Sequence, residues 1–159
     1  MAVAVVLVAC KAKHQAPTDA GPAKIGDTVT FDDSEWVIVE AKDAGKVLAS
    51  TSAVHRDELH AAGRFVEVHY RVTNKSDHEE MLAVPPKIVD AQKDEIEHLE
   101  LEGPYVPPNA KVFALDTLEP HKQRDLWTIF DVPATGTGLK CQLHALKAFG
   151  EARDVDLGM

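Results

Sequence analysis

The sequence predicts an all-β fold, an antiparallel β-sandwich of about seven to nine strands. One segment near the middle of the chain alternates strictly between apolar and polar residues. Elsewhere, short apolar runs are separated by turn-forming residues, a spacing that is typical of sandwiches and barrels. The length of 159 residues suits one domain of ordinary size.

The strongest strand signal lies in residues 63–74. Between positions 66 and 72 the even-numbered residues are apolar or aromatic and the odd-numbered ones are charged or polar. A period of two places the first set on a buried face of a strand and the second set on the opposite face. The inward residues are therefore expected to be Val66, Val68, Tyr70 and Val72, and the outward ones Glu67, His69 and Arg71.

Shorter strands are expected before this segment. Residues 28–31, 36–41 and 47–50 are apolar runs, and the second and third are separated by the turn sequence Asp43-Ala44-Gly45. Residues 56–62 favour a helical turn, which Gly63 would end in a left-handed conformation.

Further strands are expected after it. They are residues 81–84, 87–90, 95–101, 111–118, 126–132 and 139–146. The loop 103–109 contains three prolines and must be irregular, because proline donates no ladder hydrogen bond. Cys141 is in phase with Leu139 and Leu143, which predicts a buried and chemically inert thiol.

The N-terminus predicts a lipid anchor. Residues 1–9 are apolar and uncharged, but much shorter than the ~20 residues of a spanning helix. Leu7-Val8-Ala9-Cys10 resembles a bacterial lipobox, so Cys10 is expected to carry a lipid that holds the protein on a membrane. The alternative is an N-terminal β-strand with a small buried cysteine.

Four parts follow from these signals. Residues 1–9 are the remnant of a signal peptide, 10–23 a lipidated Cys10 with a disordered tether, 24–150 the sandwich, and 151–159 a C-terminal tail. The tether is expected because residues 11–23 contain no large apolar side chain and include two prolines.

Charge and cysteine content exclude two classes of protein. The formal net charge of -9, without a basic stripe, argues against nucleic acid as a partner. Two cysteines, Cys10 and Cys141, are too few for a disulfide framework.

The chain resembles a family of immunoglobulin-like domains of unknown function that occur in bacterial lipoproteins and secreted proteins. Four segments carry the resemblance: Ile25-Gly26-Asp27, residues 63–74, Ile88-Val89-Asp90, and residues 118–120 followed by 126–133. It covers about residues 24–146, and His121 stands where the family usually has glycine. The family resembles telokin and a secreted mycobacterial immunoprotective antigen in fold. The resemblance therefore implies an immunoglobulin-like sandwich, and it supplies no catalytic residue.

Histidine spacing does not favour a metal site. His55 and His60 are five residues apart, which is neither a helical pair nor a zinc spacing. His69 is expected in an exposed row of salt-bridged side chains, while His78, His98, His121 and His144 would converge only through tertiary structure.

We expect a non-catalytic binding module in the cell envelope that uses no cofactor. Its candidate contact surfaces are the loop 103–109, whose prolines stiffen the backbone around Tyr105, and residues 55–62. Tyr105 would then contact an envelope protein partner, although it could equally pack on its own sandwich. The alternatives are a periplasmic copper- or zinc-binding protein using histidines and Met81, and a small envelope hydrolase.

Overall fold

The computed structural model describes residues 21–54, 57–146 and 150–159. These ranges contain eleven β-strands and one turn of 3₁₀ helix, Gly103–Tyr105. The strands are β1 (Ala23–Lys24), β2 (Thr28–Thr30), β3 (Ser34–Ala49), β4 (Glu58–Asn74), β5 (Glu80–Leu82), β6 (Lys87–Val89), β7 (Glu95–Ile96), β8 (Asp116–Leu118), β9 (Gln123–Val132), β10 (Lys140–His144) and β11 (Ala152–Asp156). In the ranges given above, no helix has the length and apolar character needed to cross a membrane.

The strands form a β-sandwich, which confirms the predicted fold class. One sheet has the order β1-β11-β10-β6-β7 and the other β2-β3-β4-β9, while β5 and β8 pair separately. The pairing of β1 with β11 is parallel, and the other strand pairs are antiparallel.

The core lies between the two sheets. The alternation places four side chains of β4 in the core, and all four are fully buried and pack with Cys141 and Leu143 of β10: Val66, Val68, Tyr70 and Val72. Burying one such side chain contributes about 1.5–3 kcal/mol, so this face of β4 supplies much of the free energy that holds the sheets together.

The opposite face of β4 is less exposed than expected. Glu67 is buried and pairs with Lys42 Nζ of β3 at 2.8 Å. The His69 ring stacks on Trp127 of β9, with ring centroids 4.4 Å apart. The side chains of this face do pair with charged residues, but the partners lie on β3 and β9, and the exposure expected for Glu67 and His69 is wrong.

Two predictions for the hairpin of β3 and β4 are wrong. The turn expected at Asp43-Ala44-Gly45 is a bulged section of a continuous β3, with register shifts on both sides of Gly45. Gly45 has a φ of +79°, which the bulge accommodates because glycine has no Cβ to oppose a positive φ. The helical turn expected at 56–62 is strand from Glu58 onward.

Gly63 has a different role from the expected helix end. It lies inside β4, where an added Cβ would stand 2.1 Å from the backbone oxygen of Val132. Only glycine lets the two chains approach this closely.

The boundaries of the sandwich also differ from the prediction. Residues 151–159 are not a tail, because β11 pairs along the whole length of β10 and buries Val155 and Leu157. Ala23, which the sequence assigns to the tether, belongs to β1 and pairs with Val155 of β11. The sandwich therefore runs from Ala23 to at least Leu157.

The hydrogen bonds of the Asn74 side chain explain why Asn74-Lys75-Ser76 forms a turn. The side chain is fully buried, and Nδ2 donates to the carbonyl oxygens of His78, Leu118 and Glu119 at 2.8–3.2 Å. Its Oδ1 accepts from the backbone N–H and hydroxyl of Ser76. This amide ties the end of β4 to two neighbouring turns.

Candidate functional site

A second, smaller apolar cluster lies beneath the outer part of the β3–β4 hairpin. Its buried members are Leu48, Phe65, Val106 and Ile129. The segment from His98 to Val112 packs over them, with Leu99, Tyr105 and Ala110 partly buried against the cluster. Both loops named from the sequence, 103–109 and the described part of 55–62, meet here.

This segment closes the free edge of β9, which is the last strand of its sheet. The Leu99 N–H donates to Ile129 O at 2.9 Å, and the Trp127 N–H donates to Lys111 O at 2.8 Å. Between these two bonds, the Ile129 N–H donates to Glu102 Oε2 at 2.6 Å. A carboxylate thus takes the place of a neighbouring strand along this part of β9.

Glu102 is only 2% exposed, which is unusual for a carboxylate. Burial raises its pKa, while hydrogen bonds from His98 and from the Ile129 N–H oppose the rise. His98 Nδ1 donates to Leu99 O at 3.0 Å and lies 3.2 Å from Glu102 Oε1, with which a protonated His98 forms an ion pair. The contact with Glu102 raises the pKa of His98.

The 3₁₀ turn Gly103–Tyr105 is fixed from the hairpin side. The Thr51 N–H donates to Pro104 O at 2.7 Å, and the Thr51 hydroxyl donates to Val106 O at 2.7 Å. The Tyr105 N–H donates to Glu102 O at 2.9 Å. The backbone around Tyr105 is therefore held at several points.

Between these fixed points lies a shallow hollow of about 380 Å³. Its lining consists of Leu59, Leu99, Glu100, Leu101 and Tyr105, and we call it the apolar hollow. Leu101 is 79% exposed, although Leu99 before it and Glu102 after it are both hydrogen-bonded to β9. The hollow is at the lower end of the size range for ligand pockets and admits one or two side chains.

The predicted contact residue Tyr105 packs on its own sandwich, one of the two placements considered for it, and its contact with a partner stays a prediction. The tyrosine packs against the smaller apolar cluster and also lines the apolar hollow. The predicted lipid site, Cys10, lies outside the described residues, as do His14, His55 and Arg56.

Cys141 is a core residue, as predicted. Its side chain is fully buried, and burial raises the pKa of the thiol to about 12. The thiolate that a nucleophile or redox centre requires is therefore strongly disfavoured.

The described histidines are dispersed among separate partners. His78 pairs with Glu80 at 2.9 Å, His121 with Asp77 at 3.0 Å, and His98 with Glu102. Within the three ranges that the structure covers, no three His, Cys, Asp or Glu side chains come together as metal ligands. Met81 is exposed on β5.

Sequence reasoning missed the inversion at Leu101 and Glu102. The sequence predicts one strand over residues 95–101, in which Leu99 and Leu101 would share a face opposite Glu100. Only Glu95–Ile96 is strand, and at the end of the segment Leu101 is exposed and Glu102 buried. The signal that could have revealed this is Gly103-Pro104, which prevents the strand from continuing.

A larger hollow of about 930 Å³ lies at the other edge of the sandwich, beside β2, β10 and β11. Some of its polar groups are already paired: Arg153 bonds to Glu151 at 3.0 Å and lies over the Phe31 ring, and Gln142 donates to Asp154. It is the weaker candidate for an apolar contact, because its lining is mainly polar.

The fold and the hollow define a small β-sandwich protein with a shallow apolar hollow on its surface. No family model and no curated protein sequence matches the chain. Several solved structures share the fold of this chain. The yjhA protein of Bacillus subtilis aligns over 84% of this chain and 98% of its own, with a TM-score of 0.62 and 10% identity.

Two further structures have names that bear on location. The Bacillus subtilis "putative lipoprotein (ycdA)" aligns over 83% of this chain and 39% of its own, with a TM-score of 0.55 and 12% identity. The secreted protein MPT63 of Mycobacterium tuberculosis aligns over 86% of this chain and 95% of its own, with a TM-score of 0.52 and 14% identity. At these identities the similarity concerns the fold alone.

Proposed function

We propose that this chain is a non-catalytic binding module, held at the bacterial cell envelope by a lipid on Cys10, that docks a partner protein at the apolar hollow. Membership in the family of immunoglobulin-like domains found in lipoproteins is part of the same proposal. It rests on the segments 25–27, 63–74, 88–90 and 118–133.

The exposure of Leu101 is the observation that carries the proposal. A single exposed leucine is common on protein surfaces and needs no explanation by itself. Here, however, the chain before it is bonded to β9 through the Leu99 N–H, and the chain after it through the Glu102 carboxylate. A partner that binds this leucine would not have to order the loop, so most of the contact energy would remain as affinity.

The envelope location is supported by the N-terminal sequence. Leu7-Val8-Ala9-Cys10 has the residue types that a lipobox requires, and the polar residues after it suit a spacer between a membrane and the sandwich. Two proteins of similar fold are themselves described as a secreted protein and a "putative lipoprotein".

Crosslinking in bacterial cells tests the contact site. One variant of the full chain carries a photoreactive residue in place of Tyr105, and a second carries it in place of Met81. Met81 is exposed, but it lies near the other end of β4, where β5 pairs with β8 beside Asn74. We expect a discrete protein adduct from position 105 and none from position 81.

Adding Leu101→Asp to the position-105 variant should abolish that adduct, because it removes the exposed apolar anchor. The proposal fails if position 105 gives no adduct, or if positions 105 and 81 give the same adducts.

A further inference from the structure

Glu100 differs from the other carboxylates of its segment. Glu95 and Glu97 pair with Lys87 Nζ at 3.1 and 2.8 Å, and Glu102 pairs with His98. Glu100 lines the apolar hollow and is exposed, and within the described part of the chain it makes no ion pair. Among the residues that the structure describes, this negative charge has no ion-pair partner at the rim of the apolar hollow.

The other lining residues place this charge beside apolar surface. Leu59, Leu99, Leu101 and Tyr105 supply that surface, and among these described lining residues none is cationic. The tyrosine ring adds a face on which a cation is also favoured. The hollow thus offers an apolar contact and attraction for positive charge within one side chain's reach.

Long-range electrostatics point the same way. The chain carries a formal net charge of -9, so a second copy and an anionic lipid surface would both be repelled. A cationic partner would be attracted toward the surface before contact, which mainly raises the association rate.

Resting on the proposed function, we infer that the apolar hollow takes one large apolar side chain of a partner protein, flanked in the partner sequence by lysine or arginine. The apolar side chain contacts Leu99, Leu101 and Tyr105, and the flanking cation pairs with the Glu100 carboxylate.

Three synthetic pentapeptides test the inference by NMR titration of the ¹⁵N-labelled full chain. They are Gly-Lys-Phe-Lys-Gly, Gly-Ser-Phe-Ser-Gly and Gly-Glu-Phe-Glu-Gly, with blocked termini. We expect amide shifts at Leu99, Leu101 and Tyr105. Affinity should fall about 3-fold from the lysine to the serine peptide and about 10-fold from the lysine to the glutamate peptide, since exposed ion pairs contribute ~0.2–1 kcal/mol each.

Glu100→Lys should reverse this order. Glu119→Lys is the matched control, because it changes the net charge equally. Glu119 lies at the other end of β4, where its backbone oxygen accepts from Asn74, so this variant should keep the original order of peptide affinities. Equal affinities for the three peptides, no binding of any of them, or an equal effect of both variants overturns the inference. Equal amide shifts with octyl glucoside would indicate that the hollow binds an acyl chain. Amide shifts that depend on protein concentration without peptide would indicate that it binds a second copy of this chain. Either result also overturns the inference.

The two proposals fail separately. A specific adduct from position 105 in cells, together with no charge preference among the peptides, would remove this inference and leave the binding module intact. Loss of the adduct would remove both.

Discussion

At the scale of single residues, His121 occupies a backbone conformation that suits glycine. Its φ is +57°, in the turn between β8 and β9. The family that the sequence resembles usually has glycine at this position, and the structure supplies a physical reason. A side chain in the left-handed region costs about 1–2 kcal/mol, which glycine avoids because it lacks Cβ.

Replacing His121 by glycine should therefore stabilise the fold. We expect the free energy of unfolding to rise by about 0.5–1 kcal/mol, because relief of the strain exceeds the added entropy of glycine in the unfolded chain. The exposed contact between His121 and Asp77 contributes little. Urea unfolding of the two proteins measures the difference.

Asn109→Gly is the matched control for His121→Gly. Asn109 has a φ of +67°, but the short amide of asparagine can hydrogen-bond locally in this region, so its replacement should change stability little. Equal gains at both positions, or a loss at position 121, would contradict the explanation.

Residues whose environment follows from local alternation were predictable, and those fixed by distant contacts were not. Val66 to Val72 and Cys141 are buried as the period of two requires. The burial of Glu102 depends on the Ile129 N–H, 27 residues away, and on His98. No local pattern distinguishes such a carboxylate from a solvated one.

At the scale of strands, the same distinction explains which elements were found. β4, β9 and β10 contain enough apolar residues to mark their own buried faces. β11 has the sequence Ala-Arg-Asp-Val-Asp, with one large apolar residue, and is a strand because β10 provides its hydrogen-bond partners. β3 was divided in two because a bulge and a turn use the same residues, Asp and Gly.

The closure of the β9 edge should make stability depend on pH. The pKa of His98 is raised in the folded protein, so its contribution is fully present below the ordinary histidine pKa and is lost as pH rises through the folded pKa. The raised pKa of Glu102 acts in the same direction, with stability lost as pH rises above the ordinary glutamate pKa. The lowered pKa of His144 acts in the opposite direction.

Comparison of the wild-type chain with His98→Gln isolates the first effect. Between about pH 6 and pH 8 the stability advantage of the wild-type chain over His98→Gln should shrink, because the imidazolium partner of Glu102 is lost. Thermal unfolding at each pH measures it. The same substitution at His60, an exposed residue of the hairpin, is the control, and a constant difference for His98→Gln across this range would refute the assignment.

At the scale of the whole molecule, the sandwich, the acidic surface and the apolar hollow form one unit, whereas the anchor is a prediction from sequence alone. The fold class followed from the spacing of strands and turns. The hollow did not, because it is assembled from the hairpin and from a loop 40 residues later, which only tertiary structure brings together.

The anchor prediction concerns Cys10. Expressed in bacteria from its full gene, the protein should fractionate with membranes and carry a diacylglyceryl group on this cysteine, and Cys10→Ser should move it to the soluble fraction. Intact-mass spectrometry checks the modification. Cys141→Ser, in contrast, should leave the fractionation unchanged because that thiol is buried, and an unmodified Cys10 in the soluble fraction would contradict the anchor.

The parallel pairing of β1 with β11 has a consequence for biosynthesis. Positions 23 and 155 are direct partners, so the sheet that contains β1 and β11 cannot be completed until nearly the whole domain has left the ribosome. Such long sequence separations slow folding, because the chain must close a very large loop before the contacts form. For a chain exported as proposed here, late closure would keep the polypeptide unfolded while it is threaded through a translocation channel, and the sandwich would assemble on the far side of the membrane.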